Sequence, residues 1–410
     1  MPLHSRNNGG LSTPLLSSST PSSSNSSDTD ESPAPLSRRY NNDFPDLHFT
    51  IPKPPISSSF QSYKSLAVLS GHIGSVSSLA LCGEFILSAS QGRDIIVWQH
   101  PDLRQFTKFG QGSGSVKALL AVGNRVFTAH QDTRIRAWKV SRSSENVFRI
   151  INTLPTTKDC LGKLMRQSNY VQTRRNHKKL WIQHADSISC LAFHNGYIYS
   201  GSWDKTLKVW RLSDFKCVES IKAHDDAINA LISSNGAVYS ASADGRIKAW
   251  RRTEGNSIST HSLVEILEGH KDVSFNTVVA CEDGRFLYGG GSDGYVMGWG
   301  WGGRKVCEVK AHEMAVLCMC IMGDFVCSGS GDKSIGIWRR EMNGGIFRVG
   351  VIKGHEGPIR CLQASPLSVG GGFMLYSGSL DRSLRVWWVP KYCDTAKSEE
   401  KSVFLRLPSA

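Results

Sequence analysis

The 410-residue chain is short of charge, and of acid above all. Charged residues make up 20% of it, and 35 Asp and Glu face 48 Lys and Arg, for a formal charge of +13. That imbalance favours acidic partners or anionic surfaces. Long apolar runs are missing too. The longest, Met314 to Met322, has nine residues, against the ~20 that a membrane-spanning helix needs. No secretory signal is recognisable. The N-terminal segment has no heptads, which removes a coiled-coil partner helix. No paired Cys/His spacing suits zinc, no Gly-rich loop leads from a strand into a helix to cradle phosphate, and no Ser sits in a nucleophile-elbow context. The 11 cysteines are odd in number and show no paired framework, as in a reducing cytosol or nucleus. These absences leave no catalytic constellation, no metal and no cofactor to argue for, and no small-molecule substrate.

What is present is a repeat. Trp98, Trp138, Trp210, Trp250, Trp299, Trp338 and Trp387 end seven copies of one pattern. The third copy reads His184, an apolar stretch, then Tyr199-Ser200-Gly201-Ser202-Trp203-Asp204-Lys205-Thr206-Leu207-Lys208-Val209-Trp210. Each copy holds β-branched, alternating runs broken by Gly, Asn and Asp, which is strand chemistry. The Asp opens a tight turn where a carboxylate accepts backbone or imidazole hydrogens.

The His position is filled by His72, His184, His224, His270, His312 and His355, with Gly112 in copy 2. The Asp position holds Asp132, Asp204, Asp244, Asp293, Asp332 and Asp381, with Gly92 in copy 1. The strand hydroxyl is Ser88, Thr128, Ser200, Ser240, Ser328 and Ser377, with Gly289 in copy 5. A recurring His and Asp could suggest a catalytic pair, but catalysis needs one site and five copies carry both residues, so the pair reads as structural. Cys190, Cys318 and Cys361 each stand six residues after a repeat His and read as a small buried position. Cys318-Met319-Cys320 likewise reads as two same-face positions of a buried strand.

This period and signature resemble the WD40 family, whose unit is a four-stranded propeller blade. The resemblance implies an all-β, seven-bladed WD40 β-propeller, in which His, hydroxyl, Asp and Trp form a buried hydrogen-bonded chain. The family's WD dipeptide is absent: Gln99, Lys139, Arg211, Arg251, Gly300, Arg339 and Trp388 follow the repeat Trp.

Residues 1–60 read as a disordered Ser/Pro-rich tail. Residues 1–40 hold 12 Ser and few large apolar side chains, too little to offset ordering entropy. Thr13-Pro14, Thr20-Pro21 and Ser32-Pro33 are candidate phosphorylation sites. A plastid transit peptide is disfavoured by the early Asp28, Asp30 and Glu31 and by Arg6 being the only Arg before Arg38. The propeller spans 61–390, with repeats near 64–99, 105–139, 179–211, 216–251, 263–299, 305–339 and 348–388, and a C-terminal tail covers 391–410. Lys64–Leu69 precedes the first blade, and in the family such a strand completes the last one.

Trp138 and Trp210 are 72 residues apart where the neighbouring intervals are 40. Aligning Lys179–Gln183 with Val218–Lys222 as the outer strand before a repeat His places the surplus at 141–178. From Ser141 to Gln183 nine basic residues face two acidic ones, so this segment carries more than half of the net charge. An insertion this long is usually functional or loose, and Val147–Ile151 is expected to add an extra strand.

Two surfaces attract attention. The His-side face carries Asp186, Asp225, Asp226, Asp272, Glu313 and Glu356. It also carries the residues just before the turn Asp: Gln91, Gln131, Trp203, Ala243, Ser292, Gly331 and Leu380. Trp203 and Leu380 are expected to be exposed anchors. The opposite face is expected to be basic through Lys139, Arg211, Arg251, Arg252, Arg339 and Arg340, joined by Arg174, Arg175, Lys178 and Lys179 of the insertion.

A finer resemblance rests on Lys158-Asp159-Cys160, Asn169-Tyr170-Val171 with Arg174-Arg175, Trp181-Ile182, the run Gly201–Asp214 and the run Lys222–Asn229. Together these resemble the plant JINGUBANG-type WD40 proteins. That resemblance implies a non-enzymatic regulator, monomeric as a propeller, acting through signalling or transcription-factor partners in cytoplasm and nucleus. Two other readings stay open. A ubiquitin-ligase substrate receptor is weakened because no repeat has Asp or Glu just after its Trp. A nucleic-acid-binding propeller would use the basic insertion and show strong salt dependence.

Overall fold

The computed structural model describes residues 63–110, 114–142, 147–174, 177–253 and 260–391. The expected N-terminal tail, its phosphorylation sites and residues 392–410 lie outside the described residues, as do Gly112 and Arg175.

Alternating strand sequence and Gly-rich turns build seven four-stranded antiparallel sheets, joined among the described residues by one two-stranded hairpin and one α-helix. Blade 3 shows the plan, with strands Ile188–His194, Tyr197–Ser202, Thr206–Arg211 and Cys217–Lys222 in spatial order. Asn195 and Gly196 turn the first hairpin with φ of 43° and 79°, the paired positive φ that a two-residue hairpin demands. Second strands are buried throughout, whereas outer strands alternate with solvent.

The inner strands of the seven blades are Val76–Cys82, Val116–Val122, Ile188–His194, Ile228–Ser234, Phe275–Ala280, Val316–Met322 and Ile359–Val369. Each packs against its neighbour on both sides, and the last packs against the first. The propeller is therefore a closed seven-membered ring. Lys64–Leu69 pairs antiparallel with Leu384–Pro390, setting Leu69 opposite Leu384 and Lys64 opposite Trp388. The strand that precedes blade 1 is thus the outer strand of blade 7, and this edge is covered.

Every inner strand carries a bulge at its second residue. In four blades the bulged residue hydrogen-bonds to the next blade. Ser77 Oγ donates to Val116 O (2.7 Å), Ser189 Oγ to Ile228 O (2.5 Å), Asn229 Nδ2 to Phe275 O (2.8 Å) and Asn276 Nδ2 to Val316 O (3.0 Å). Blades 6 and 7 have Leu317 and Arg360 at this position. There the following cysteines take over, with Cys318 Sγ 3.6 Å from Ile359 O and Cys361 Sγ 3.8 Å from Val76 O.

The residue after the bulge is volume-matched to the one across from it. Cys190, Cys318 and Cys361 face Gly201, Gly329 and Gly378, and Thr277 faces Gly290. Where the first residue is smaller, as in Ser78, Ala118 and Ala230, the partner is Ala89, Ala129 and Ala241. A Cβ on Gly378 would stand 2.6 Å from Cys361 Sγ and 2.5 Å from Val76 Cγ1 of the next blade. The glycine of the Ser-Gly-Ser run is therefore set by how closely two blades approach.

The insertion differs from expectation. The outer strand of blade 2 is Phe148–Leu154, paired with Ile135–Val140, and not Lys179–Gln183. Val147–Ile151 therefore marks the regular fourth strand rather than an extra one. The nearer stretch wins because it begins only eight positions after the third strand ends at Val140. Its Phe148 also stacks on Phe109 of blade 1 (centroids 4.5 Å, planes 2° apart). Leu154 ends opposite Ile135, beside the Asp132 turn. The surplus chain therefore leaves from the His-side face, not from the opposite one.

That surplus folds on itself. Helix Thr157–Leu164 is capped by Thr156, whose Oγ1 accepts from Asp159 N (3.0 Å). Tyr170–Arg174 pairs with His177–Leu180 as a hairpin. Trp181 N donates to Asn169 O (2.9 Å), and Lys163 Nζ lies 4.8 Å from the Trp181 ring. Leu180 and Ile182 are buried, and Lys208 of blade 3 donates to Trp181 O between them (2.6 Å).

Candidate interaction surface

The repeated polar residues meet in each complete blade. In blade 3, Trp210 Nε1 donates to Ser200 Oγ (2.9 Å), Ser200 Oγ pairs with His184 Nε2 (2.8 Å) and His184 Nδ1 with Asp204 Oδ2 (2.9 Å). An indole only donates and a carboxylate only accepts, so the direction is forced. Ser200 donates to Nε2, and the His proton sits on Nδ1. The same chain joins His224, Ser240, Asp244 and Trp250; His312, Ser328, Asp332 and Trp338; and His355, Ser377, Asp381 and Trp387.

Electrostatics fit a neutral imidazole. Burial pushes the His184, His312 and His355 pKa values down, partly opposed by their carboxylate partners. Burial alone would raise the carboxyls. Hydrogen bonds from His and from turn N–H groups outweigh it, bringing Asp244 and Asp381 to about 2 and holding Asp204 still lower. Each turn carboxylate also accepts the N–H two residues on, for example Thr206 N to Asp204 Oδ1 (2.9 Å), while the intervening residue takes positive φ.

The incomplete copies solve the problem differently. In blade 1, His72 Nε2 meets Ser88 Oγ (2.7 Å) and Trp98 donates to the same oxygen (2.8 Å), with no Asp. In blade 2, His130 from the second strand takes the role of the missing His: its Nε2 lies 2.7 Å from Thr128 Oγ1, to which Trp138 donates (3.1 Å). Asp132 is left to pair with Arg136 (2.5 Å). Sequence reasoning missed His130; the signal was a His two residues before the turn Asp, where five of the other six copies have Ser. In blade 5 the hydroxyl is Gly289, and His270 bridges Asp293 (2.6 Å) and Glu308 (2.9 Å) near the surface. Phe275 fills the vacated space and packs on Trp299 (5.8 Å between centroids). A side chain at Gly289 would meet it.

At the His-side mouth, seven equivalent backbone bonds form a collar. The N–H of Gln91, Gln131, Trp203, Ala243, Ser292, Gly331 and Leu380 each donates to a carbonyl just before its blade's inner strand, as in Trp203 N to Ser187 O (3.1 Å). Trp203 and Leu380 are 44% and 49% exposed, on blades 3 and 7. Lys117 of blade 2 lies 5.4 Å from the Trp203 ring. The exposed Ile73 and Met314 also lie on this His-side face. Three of the six acidic residues here are engaged. Asp186 Oδ1 accepts from Ser187 N (2.7 Å), Asp226 faces Lys205 (3.9 Å) and Asp225 faces Arg246 (3.8 Å). Exposed pairs of this kind contribute little.

Three of the six basic residues expected opposite are already engaged. Arg211 pairs with Asp214, Arg340 is largely buried against Asp283 and Asp324, and Arg252 stacks on Tyr197. Lys178 and Lys179 sit on the hairpin at the other end of the ring, with Arg174 in its first strand.

One relay-like set exists. Tyr199 Oη donates to His261 Nε2 (2.9 Å), and His261 Nδ1 donates to Glu219 (2.6 Å). His261 N also donates to Glu219, so the set ties blade 4 to blade 3. Burial raises the Tyr199 phenol to about 12, which keeps its proton and makes it a poor nucleophile. Among the described residues no group of His, Cys, Asp and Glu converges as metal ligands do, and no helix is long and apolar enough to cross a membrane.

The WD domain, G-beta repeat model matches residues 63–99, 176–211, 215–251, 261–300, 303–339 and 347–387, together more than half of the chain. The chain belongs to the WD40 family. The model passes over blade 2, whose His comes from an unusual position. The WD40 propeller is also similar to an F-box/WD-40 repeat-containing protein of Arabidopsis thaliana, 26% identical over 40% of this chain and 28% of that one. A zinc finger CCCH domain-containing protein of the same plant is 25% identical over 27% of this chain and 18% of its own length. Myosin heavy chain kinase C of Dictyostelium discoideum is 31% identical over 34% and 14%. The chain thus spans less than a third of each of these relatives. The match indicates no catalytic family, and WD40 propellers are in general interaction modules.

Proposed function

We propose that this WD40 propeller is a non-enzymatic scaffold of the JINGUBANG type, working in cytoplasm and nucleus of a plant cell by holding signalling or transcription-factor proteins. The observation that carries this reading is the mouth collar, where Trp203 and Leu380 are half exposed on a backbone fixed by hydrogen bonds. A large aromatic on a rigid frame loses little entropy on binding and is the commonest kind of interface anchor. The insertion motifs support the JINGUBANG likeness.

The test is affinity capture from plant tissue with wild type, Trp203→Ala/Leu380→Ala and Arg251→Gln on the opposite face. Partners lost from the first variant and kept by the second support the collar. The same set recovered by all three removes it. The likeness to an F-box/WD-40 protein favours one second reading, a substrate receptor; recovery of ubiquitin-ligase subunits in the capture would select it.

A further inference from the structure

A half-open cleft of about 740 Å³ lies between the insertion hairpin and blade 3. Five lysines line it: Lys178 and Lys179 from the hairpin, Lys205 from the turn, and Lys208 and Lys222 from the third and outer strands. Two carboxyls also border it, Asp186 and Asp204. Asp204 is already engaged by His184, by Ala185 N and by Thr206. Asp204 keeps its charge, because its His184 partner is neutral, so five ammonium groups face two carboxylates in one concave space.

Ordinary folding accounts for three of the five: Lys205 Nζ donates to Asp225 O (2.6 Å) and faces Asp226 (3.9 Å), Lys179 Nζ donates to His184 O (3.3 Å), and Lys208 is the third. Lys208 has a structural use, since its buried Nζ donates to Trp181 O (2.6 Å) and Ser220 Oγ (2.5 Å), and Lys248 makes a similar bond in blade 4. An ammonium has three hydrogens, so one remains. Burial depresses its pKa, a cost that a bound anion would relieve. Lys178 and Lys222 are exposed and have no ion pair among the described residues. Concentrated like charge around one space destabilises the free protein.

We propose that this cleft binds a compact, soluble polyphosphate, with the five lysines as its phosphate ligands. The volume lies in the range of small-molecule sites, roughly 300–1,000 Å³. The walls offer lysine, hydroxyl and amide groups and few apolar side chains, which suits an ionic ligand rather than an acyl or aromatic one. Five lysines less two carboxylates leave three positive charges, and each phosphate group brings about −1.5 to −2, so two phosphates balance the site. Single-stranded nucleic acid would want free aromatic faces for stacking. The one indole at the wall, Trp181, is covered by Lys163. The site adjoins Asp186 and Lys205, next to Trp203, so occupancy changes the charge that a partner meets at the mouth. It does not depend on what that partner is.

The test is calorimetric titration of the full chain with tripolyphosphate, inositol hexakisphosphate, a doubly phosphorylated peptide and single-stranded RNA. Wild type is compared with Lys178→Gln/Lys222→Gln and, as an opposite-face control, Arg211→Gln/Arg251→Gln. The expected result is binding of both small polyphosphates, weakened tenfold or more in the lysine variant and unchanged in the control. The melting temperature without ligand should not fall in either variant, because neither lysine is packed. No binding to wild type, or equal loss in both variants, overturns the site. Tighter binding of the peptide or the RNA than of either small probe overturns the ligand class.

Discussion

Gly201 lies directly opposite Cys190, and a methyl group on it would stand 2.7 Å from the cysteine Sγ and 2.6 Å from Ile228 Cγ2 of the next blade. Gly201→Ala should therefore destabilise by about 1–3 kcal/mol through overpacking. Adding Cys190→Ala should recover most of that loss, because it recreates the Ala118, Ala129 and Ile188 combination that blade 2 already uses. Melting temperatures of the two variants check this; a double variant no better than the single one would break the volume argument.

His130 is the second case. Replacing it with Ala leaves the buried Thr128 hydroxyl, which still accepts from Trp138, without its acceptor, at an expected cost of about 1–3 kcal/mol. His130→Asn, which still presents a polar group, should lose less. Denaturant midpoints distinguish the two.

Acid should weaken the ring before it protonates most carboxylates. Burial brings His72 and His130 to about 4. In the unfolded chain they titrate near 6.5, so the unfolded state takes up protons first as pH falls. Their contribution is complete above 6.5 and is lost between about 6.5 and 4, at about 1.4 kcal/mol per unit of depression. Asp244 and Asp381, at about 2, add a loss only below 4. The melting temperature followed from pH 7.5 to 4 should fall in the upper window, and His72→Asn should flatten that slope.

His270 runs the other way. Hydrogen bonds to Asp293 and Glu308 raise its pKa, so its contribution is full below 6.5 and fades as pH rises through the raised value. Glu308→Gln should move the His270 titration, read by NMR, down towards 6.5. An unmoved titration would show that Asp293 alone sets it.

Much of the architecture was legible because its signals are residue types at fixed places in each copy. The complete quartets around Ser200, Ser240, Ser328 and Ser377, and the closing strand before His72, needed no knowledge of pairing. What escaped depended on pairing. His130 does the work of a residue normally in another loop. The choice between Phe148–Leu154 and Lys179–Gln183 turned on which apolar stretch could reach the third strand first. It moved the hairpin, with Lys178 and Lys179, to the other end of the ring. The match between Cys190 and Gly201 is visible only once the register is known.

The collar has a last implication. Its seven bonds use main-chain atoms alone, so the scaffold tolerates almost any side chain at those places. Trp203 and Leu380 are free to change without touching the fold, and the specificity of the entrance can drift or be rewritten one position at a time while the wheel beneath it stays the same.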